Sequence, residues 1–284
     1  MTGEDQGEFE VPTHLSVGIA LTTDPQMTRG LLEQLCLALG DATGIQVSPS
    51  GVVSYQRLVE QLAAREVDLV WLPPVPALRA TAAGHLRPIA LPIRNGESSY
   101  RTALFTRPDS PIVEPRDLVG RRAAWVDPES AAGYLIIAAH LGSLGLDPLA
   151  TFADQHFLGS HDAVAAAVRE GRADVGATFA YQDDKGRIRR AGWGSDRVRV
   201  ICQAGPIPND MLAARVGLSD LLVRMVQSAL VDVQNAELRE AARSLLAAEG
   251  FAVPDPEHLA PLRRLLSSAM TAPPVAHSMF PPPA

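Results

Sequence analysis

Ser130 stands in the run Asp127-Pro128-Glu129-Ser130-Ala131-Ala132-Gly133, at the head of a stretch with helical spacing. A helix start presents unpaired backbone N–H groups and the positive end of its dipole. An oxyanion placed there gains several charge-assisted hydrogen bonds without any formal cation nearby. The same serine fits a plain N-cap that binds nothing else. Tyr55 and His161 open two further helices behind Ser54 and Ser160, and Tyr100 enters a strand. Taken alone, the tyrosines read as amphipathic side chains covering surface, and His161 as an exposed first-turn residue. Other chemistries lack their residues: there are no paired carboxylates at acid/base spacing, no nucleophile elbow, no glycine-rich phosphate loop and no HExxH. The two cysteines, Cys36 and Cys202, lie far apart inside apolar segments and read as small buried hydrophobes. Neither a metal nor a cofactor is expected.

The elements that must position these residues alternate. Residues 14–21 predict a first buried strand and residues 24–39 a helix through Met27, Leu31, Leu32, Leu35 and Leu39, ended by Gly40. A strand at 45–52, a helix capped by Ser54 with Leu58, Val59 and Leu62 on its apolar face, and a fully apolar strand at 68–72, the kind that sits inside a parallel sheet, follow. That alternation implies an α/β sheet. Residues 86–94 and 100–106 predict extended segments. The alternation then restarts with strands at 122–126, 155–158 and 174–178 and helices at 130–144 and 160–170. Residues 198–203 predict another strand, Gly205-Pro206-Ile207-Pro208 a break, and 211–215 a further extended piece. Three helices fit 220–234, 236–249 and 257–270, and the proline-rich end from Thr271 predicts disorder.

At 284 residues the chain exceeds one ordinary core, which predicts two lobes. A net charge of −7 with scattered basic residues gives no footprint for nucleic acid or anionic lipid, though a small anion held by a local site stays compatible. No apolar run reaches transmembrane length, so membrane insertion is not expected. The first 13 residues are acidic and polar where a signal peptide would be basic and then apolar. As written the chain reads as cytoplasmic. A start elsewhere, or an absent leader, would make it periplasmic or extracytoplasmic.

Several phrases occur in the order found in one family. Ser54-Tyr55 opening a helix, Val67-Asp68-Leu69-Val70-Trp71-Leu72-Pro73-Pro74, Ser99-Tyr100, Asp109-Ser110, Asp117-Leu118-Val119-Gly120, the Asp127 to Gly133 loop, Gly159-Ser160-His161-Asp162, Gly171 to Ala177, and Pro206-Ile207-Pro208-Asn209-Asp210 together span about residues 14–250. This ordered set resembles the phosphonate-binding proteins of ABC transporters, in the phosphonate and alkanesulfonate branch of the type 2 periplasmic binding proteins. The resemblance implies an α/β fold of two lobes with a ligand cleft between them. It implies a first lobe of residues 12–98 and 206–272 and a second of 101–203, which leaves the proline-rich residues 273–284 as the disordered tail that composition predicts.

The resemblance further implies a solute-binding receptor, not an enzyme, for a small anion such as phosphonate, phosphate or phosphite. Its partners would be an ABC permease or, for a sensor, a signalling protein. Tyr55, Tyr100, Ser130, Ala131, Ala132 and His161 match the positions that face the ligand, and Asp210, with Asp183 and Asp184, could accept an ammonium if the ligand were an aminophosphonate. Ala131 and Ala132 depart from the pattern, which places hydroxyls there. Two lost charge-assisted hydrogen bonds weaken binding by roughly 10² to 10⁴ unless other donors replace them. That departure keeps a carboxylate or a larger, partly apolar ligand in view. Two alternatives stand beside the receptor: an enzyme of lyase or synthase type on the same fold, and a cytoplasmic ligand-sensing module.

Overall fold

The structure is a computed structural model that describes residues 13–21, 24–232, 234–254, 260 and 263. The described chain divides into two compact units, one of residues up to Ser98 with Asn209–Asp255 and the other of Ser99–Pro208.

The first unit opens with β1 (His14–Ala20), α1 (Pro25–Thr43), β2 (Gln46–Val52), α2 (Tyr55–Ala63), β3 (Leu69–Leu72), α3 (Pro74–Ala82) and β4 (Leu86–Ile93). The second holds β5 (Ser99–Thr106), β6 (Arg122–Trp125), a π-helical turn (Ala131–Leu135) running into α4 (Ile136–Ser143), α5 (Pro148–Thr151), β7 (Asp154–Phe157), α6 (His161–Arg169), β8 (Val175–Gln182), β9 (Ile188–Ala191) and β10 (Arg199–Pro208). The chain then returns to the first unit with β11 (Met211–Arg215), α7 (Asp220–Val231), α8 (Ala236–Leu246) and β12 (Gly250–Ala252).

Each unit has one mixed sheet, ordered β12-β4-β11-β3-β1-β2 in the first and β10-β5-β8-β6-β7 in the second, where β9 pairs with β8. The plan is the same in both. Three strands of a strand–helix alternation run parallel, and an antiparallel strand lies beside the third of them: β11 beside β3, and β5 beside β8. Apolar side chains cover both faces of the second sheet. Ala103, Phe105, Val164, Val168 and Trp193 pack on the α6 side, and Leu104, Trp125, Tyr134, Ile137 and Leu141 on the α4 side. In the first unit Leu15, Leu32, Leu39, Trp71, Leu222, Leu238 and Phe251 share one core. Each such buried side chain contributes roughly 1.5–3 kcal/mol.

Several sequence expectations need correction. Helix α1 does not end at Gly40 but runs to Thr43 and closes on Gly44, whose φ of 70° suits a left-handed cap. Gly40 is small because a Cβ there would come within 3.0 Å of the Ile45 carbonyl. The prolines after Leu72 start α3, with Pro73 as its cap residue and Pro74 in its first turn. Strand β3 lies between parallel β1 and antiparallel β11, in a mixed sheet. Residues 205–208 do not break the chain's extended course. Strand β10 continues through them, its register shifting between Ala204 and Ile207, and as an edge strand it tolerates prolines that lack N–H donors. The 257–270 helix and the 273–284 tail lie outside the described residues, apart from the helical positions 260 and 263.

Candidate functional site

In the second unit the turn after Ser130 is wider than an α-helix. The Ser130 carbonyl accepts from Tyr134 N at 3.1 Å and Leu135 N at 2.9 Å, and the Ile136 N–H reaches back to the Ala131 carbonyl. Gly133 permits this, because a Cβ there would overlap Cβ and Cγ2 of Val126, whose N–H donates to the Gly133 carbonyl at 3.2 Å. From the sheet, buried Thr102 Oγ1 donates to the Ala132 carbonyl at 2.6 Å and fixes the turn over β5.

Ser130 is the N-cap: its Oγ accepts from Gly133 N at 3.0 Å. Ala131 and Ala132 are only 7% and 3% exposed, yet among the described residues their backbone N–H groups have no hydrogen-bond partner. Buried N–H groups left without an acceptor are costly and rare, so this pair calls for a ligand oxygen or a water.

Tyr100 and Thr102 are two apart on β5 and therefore share a sheet face, and Thr102 registers opposite Phe179 of β8. The rings form a continuous run. Tyr100 and Tyr181 have centroids 5.7 Å apart, Tyr181 and Phe179 5.9 Å, and Phe179 and His161 4.9 Å in an edge-on contact. His161 follows the Ser160 cap of α6, and its Nδ1 lies 2.6 Å from Thr178 Oγ1. Gly192 lets the β9 end come close, since a Cβ there would overlap Thr178 Oγ1. Burial pushes the imidazole pKa down to about 4 against a small opposing pull from Asp162, so the ring is neutral near pH 7. It is thus not the exposed first-turn residue that sequence alone describes, and as a neutral group it offers a hydrogen bond without charge.

The structure therefore brings Tyr100, the Ser130–Ala132 turn and His161 to one region of the second unit. Tyr55 and Asp210 belong to the first unit. Tyr55 occupies the first position of α2, behind Ser54, whose Oγ accepts from Arg57 N at 3.2 Å. Asp210 pairs with Arg94 at 3.2 Å, and Arg94 also donates to the Leu246 carbonyl at 2.8 Å and lies 6.0 Å from the Trp71 ring. Asp183 is held by Arg187 at 2.8 Å and Arg189 at 2.7 Å, and the Arg187 N–H leads the contacts that keep its carboxyl below the usual range. These carboxylates have arginine partners inside their own units. Phe179, Tyr181, Thr102 and Arg190 were missed by sequence reasoning. For Phe179 and Tyr181 the signal was the alternation of β8 beyond Thr178, while Thr102 on β5 and Arg190 on β9 join the region through sheet register.

Cys36 and Cys202 are free thiols, and burial raises them to about 12 and about 11, so neither is a reactive nucleophile. Among the described residues no group of three or more side chains could hold a metal ion, and no helix is long and apolar enough to cross a membrane.

Two α/β units, each built on a sheet of this mixed order, give the chain the fold of the type 2 periplasmic binding proteins. A model of the family described as "ABC transporter, phosphonate, periplasmic substrate-binding protein" matches residues 17–259, and the chain belongs to that family. The phosphate-import protein PhnD of Mycolicibacterium smegmatis is 24% identical over 215 residues, which cover 72% of this chain and 67% of that protein. XAC2383 from Xanthomonas citri superposes with a TM-score of 0.74 in its chloride-bound form, at 22% identity over 91% of this chain and 98% of that one. PhnD1 of Prochlorococcus marinus in complex with methylphosphonate gives a TM-score of 0.68 at 15% identity, covering 92% of this chain and 100% of that one. At such identities the solved structures establish the fold. The family is one of transporter solute receptors, and the enzyme reading is not favoured.

Proposed function

We propose that the chain is a receptor for a small tetrahedral oxyanion, phosphate, phosphite or a simple alkylphosphonate, which it presents to an ABC permease. The observation that carries the reading is the pair of unpaired N–H groups on the buried residues Ala131 and Ala132 at a helix start. Donors of that kind suit an oxygen that carries charge, and the helix dipole adds to them. The names of the relatives point the same way, one a phosphate importer and one a methylphosphonate complex.

Tyr100 and His161 border the same region as further neutral donors. Tyr55 stays in the proposed ligand set on the resemblance alone. The ion pairs of Asp183 and Asp210 with arginines argue against an ammonium-bearing ligand. A thermal-shift screen of phosphate, phosphite, methylphosphonate, methanesulfonate and acetate tests the proposal. The phosphorus oxyanions are expected to raise the melting temperature in a concentration-dependent way, by about 2.7 kcal/mol of stability at a hundredfold excess over Kd. A shift with acetate alone, or with none of the panel, rejects it.

A further inference from the structure

The hairpin of β8 and β9 carries three arginines with different fates. Arg187 and Arg189 both pair with Asp183, at 2.8 and 2.7 Å. Arg190 registers opposite Tyr181, so its side chain shares the sheet face of Tyr181, away from that of Arg189. Among the described residues it has no carboxylate partner, and its Cζ lies 6.0 Å from the Phe179 ring centroid. Phe179 in turn touches His161 edge-on. A guanidinium resting over a ring keeps its five N–H donors free, and a cation–π contact at an exposed position is weak enough to be exchanged for a better one.

The proposed site would gain from such a group. Ser130 Oγ already accepts from Gly133, Ala131 and Ala132 offer only their backbone, and His161 is neutral near pH 7. Helix-start donors hold an oxyanion without a formal cation, and the second charge of a dianion is compensated further by a full positive charge. Arginine is the side chain whose planar fork matches two oxygens of a phosphorus centre.

Resting on the receptor reading above, we propose that Arg190 is the cationic ligand-binding residue of this site: its guanidinium leaves Phe179 to form charge-assisted hydrogen bonds with the bound oxyanion. The site thereby favours a dianion over a singly charged anion of similar size.

Titration calorimetry of the full chain with inorganic phosphate, methylphosphonate and methanesulfonate tests this with Arg190→Gln, Arg190→Lys and Arg189→Gln. The last variant removes the same charge from the same hairpin on the opposite face. Arg190→Gln is expected to weaken phosphate or methylphosphonate about ten- to a hundredfold, with Arg190→Lys in between, Arg189→Gln within twofold of wild type, and methanesulfonate affected least. Binding by Arg190→Gln within twofold of wild type, or an equal loss in Arg189→Gln, overturns the assignment and leaves the receptor standing. Absence of heat from wild type with all three anions overturns the receptor and the assignment together.

Discussion

His161 shows how one side chain is remade by its surroundings. In an unfolded chain its imidazole titrates near the ordinary value of 6.5, whereas in the folded unit burial holds it at about 4. Between those values the unfolded chain binds a proton that the folded one refuses, so stability falls as pH falls through that window and is unaffected above it. The shift corresponds to roughly 3 kcal/mol across the window. Urea midpoints measured from pH 7.5 to 4 should decline more steeply for wild type than for His161→Gln. Parallel curves would show that the ring is not held neutral by burial. The loss of Asp174 and Asp183 anions adds to the decline at the acid end in both proteins, because both carboxyls lie below their usual range in the fold.

At the scale of elements, the turn from Ser130 is positioned by the sheet as much as by its own residues. Thr102, fully buried on β5, supplies the 2.6 Å hydrogen bond to the Ala132 carbonyl, and the Val126 N–H, just past β6, donates to the Gly133 carbonyl. Thr102→Val keeps the shape and removes the donor. It should lower stability by about 1–3 kcal/mol, seen as a lower urea midpoint at unchanged m, and loosen oxyanion binding as the turn drifts. Thr102→Ser should restore both. A Thr102→Val protein as stable as wild type would show that the turn is held by Gly133 packing alone.

At the scale of the molecule, what matters is how residues 209–255 rejoin the first unit. Strand β11 enters between β3 and β4, and Arg215 meets Asp68 at 2.8 Å while Asp68 also accepts from Ser16 N and Oγ, both at 3.0 Å. At the point of re-entry Asn209 is fully buried. Its N–H reaches the Ser98 carbonyl at 2.9 Å, and its amide donates to the Pro92 carbonyl at 2.9 Å and the Glu97 carbonyl at 3.0 Å. Asn209→Leu leaves those two carbonyls without their side-chain donor and should cost about 2–3 kcal/mol in a chemical melt. A loss below about 0.5 kcal/mol would mean that other donors take over.

Much of this was legible in the chain itself. The repeated strand–helix alternation, the serine caps at Ser54, Ser130 and Ser160, and the position of His161 at a helix start follow from local spacing and capping chemistry, which neighbouring residues determine. The ordered phrases then indicated the family. What local spacing could not give was anything that depends on the pairing and register of strands. The course of β10 through its prolines is set by its edge position beside β5, and the existence of β9 by its pairing with β8. The aromatic run of Tyr100, Tyr181, Phe179 and His161 joins residues that only sheet register makes neighbours. The arginine partners of Asp210 and Asp183 likewise lie 116 residues away in one case and across a turn in the other. Electrostatics follows from such packing: the sequence contains a histidine and three arginines on a hairpin, but burial makes the histidine neutral, and strand parity sets Arg190 against an aromatic ring instead of a carboxylate.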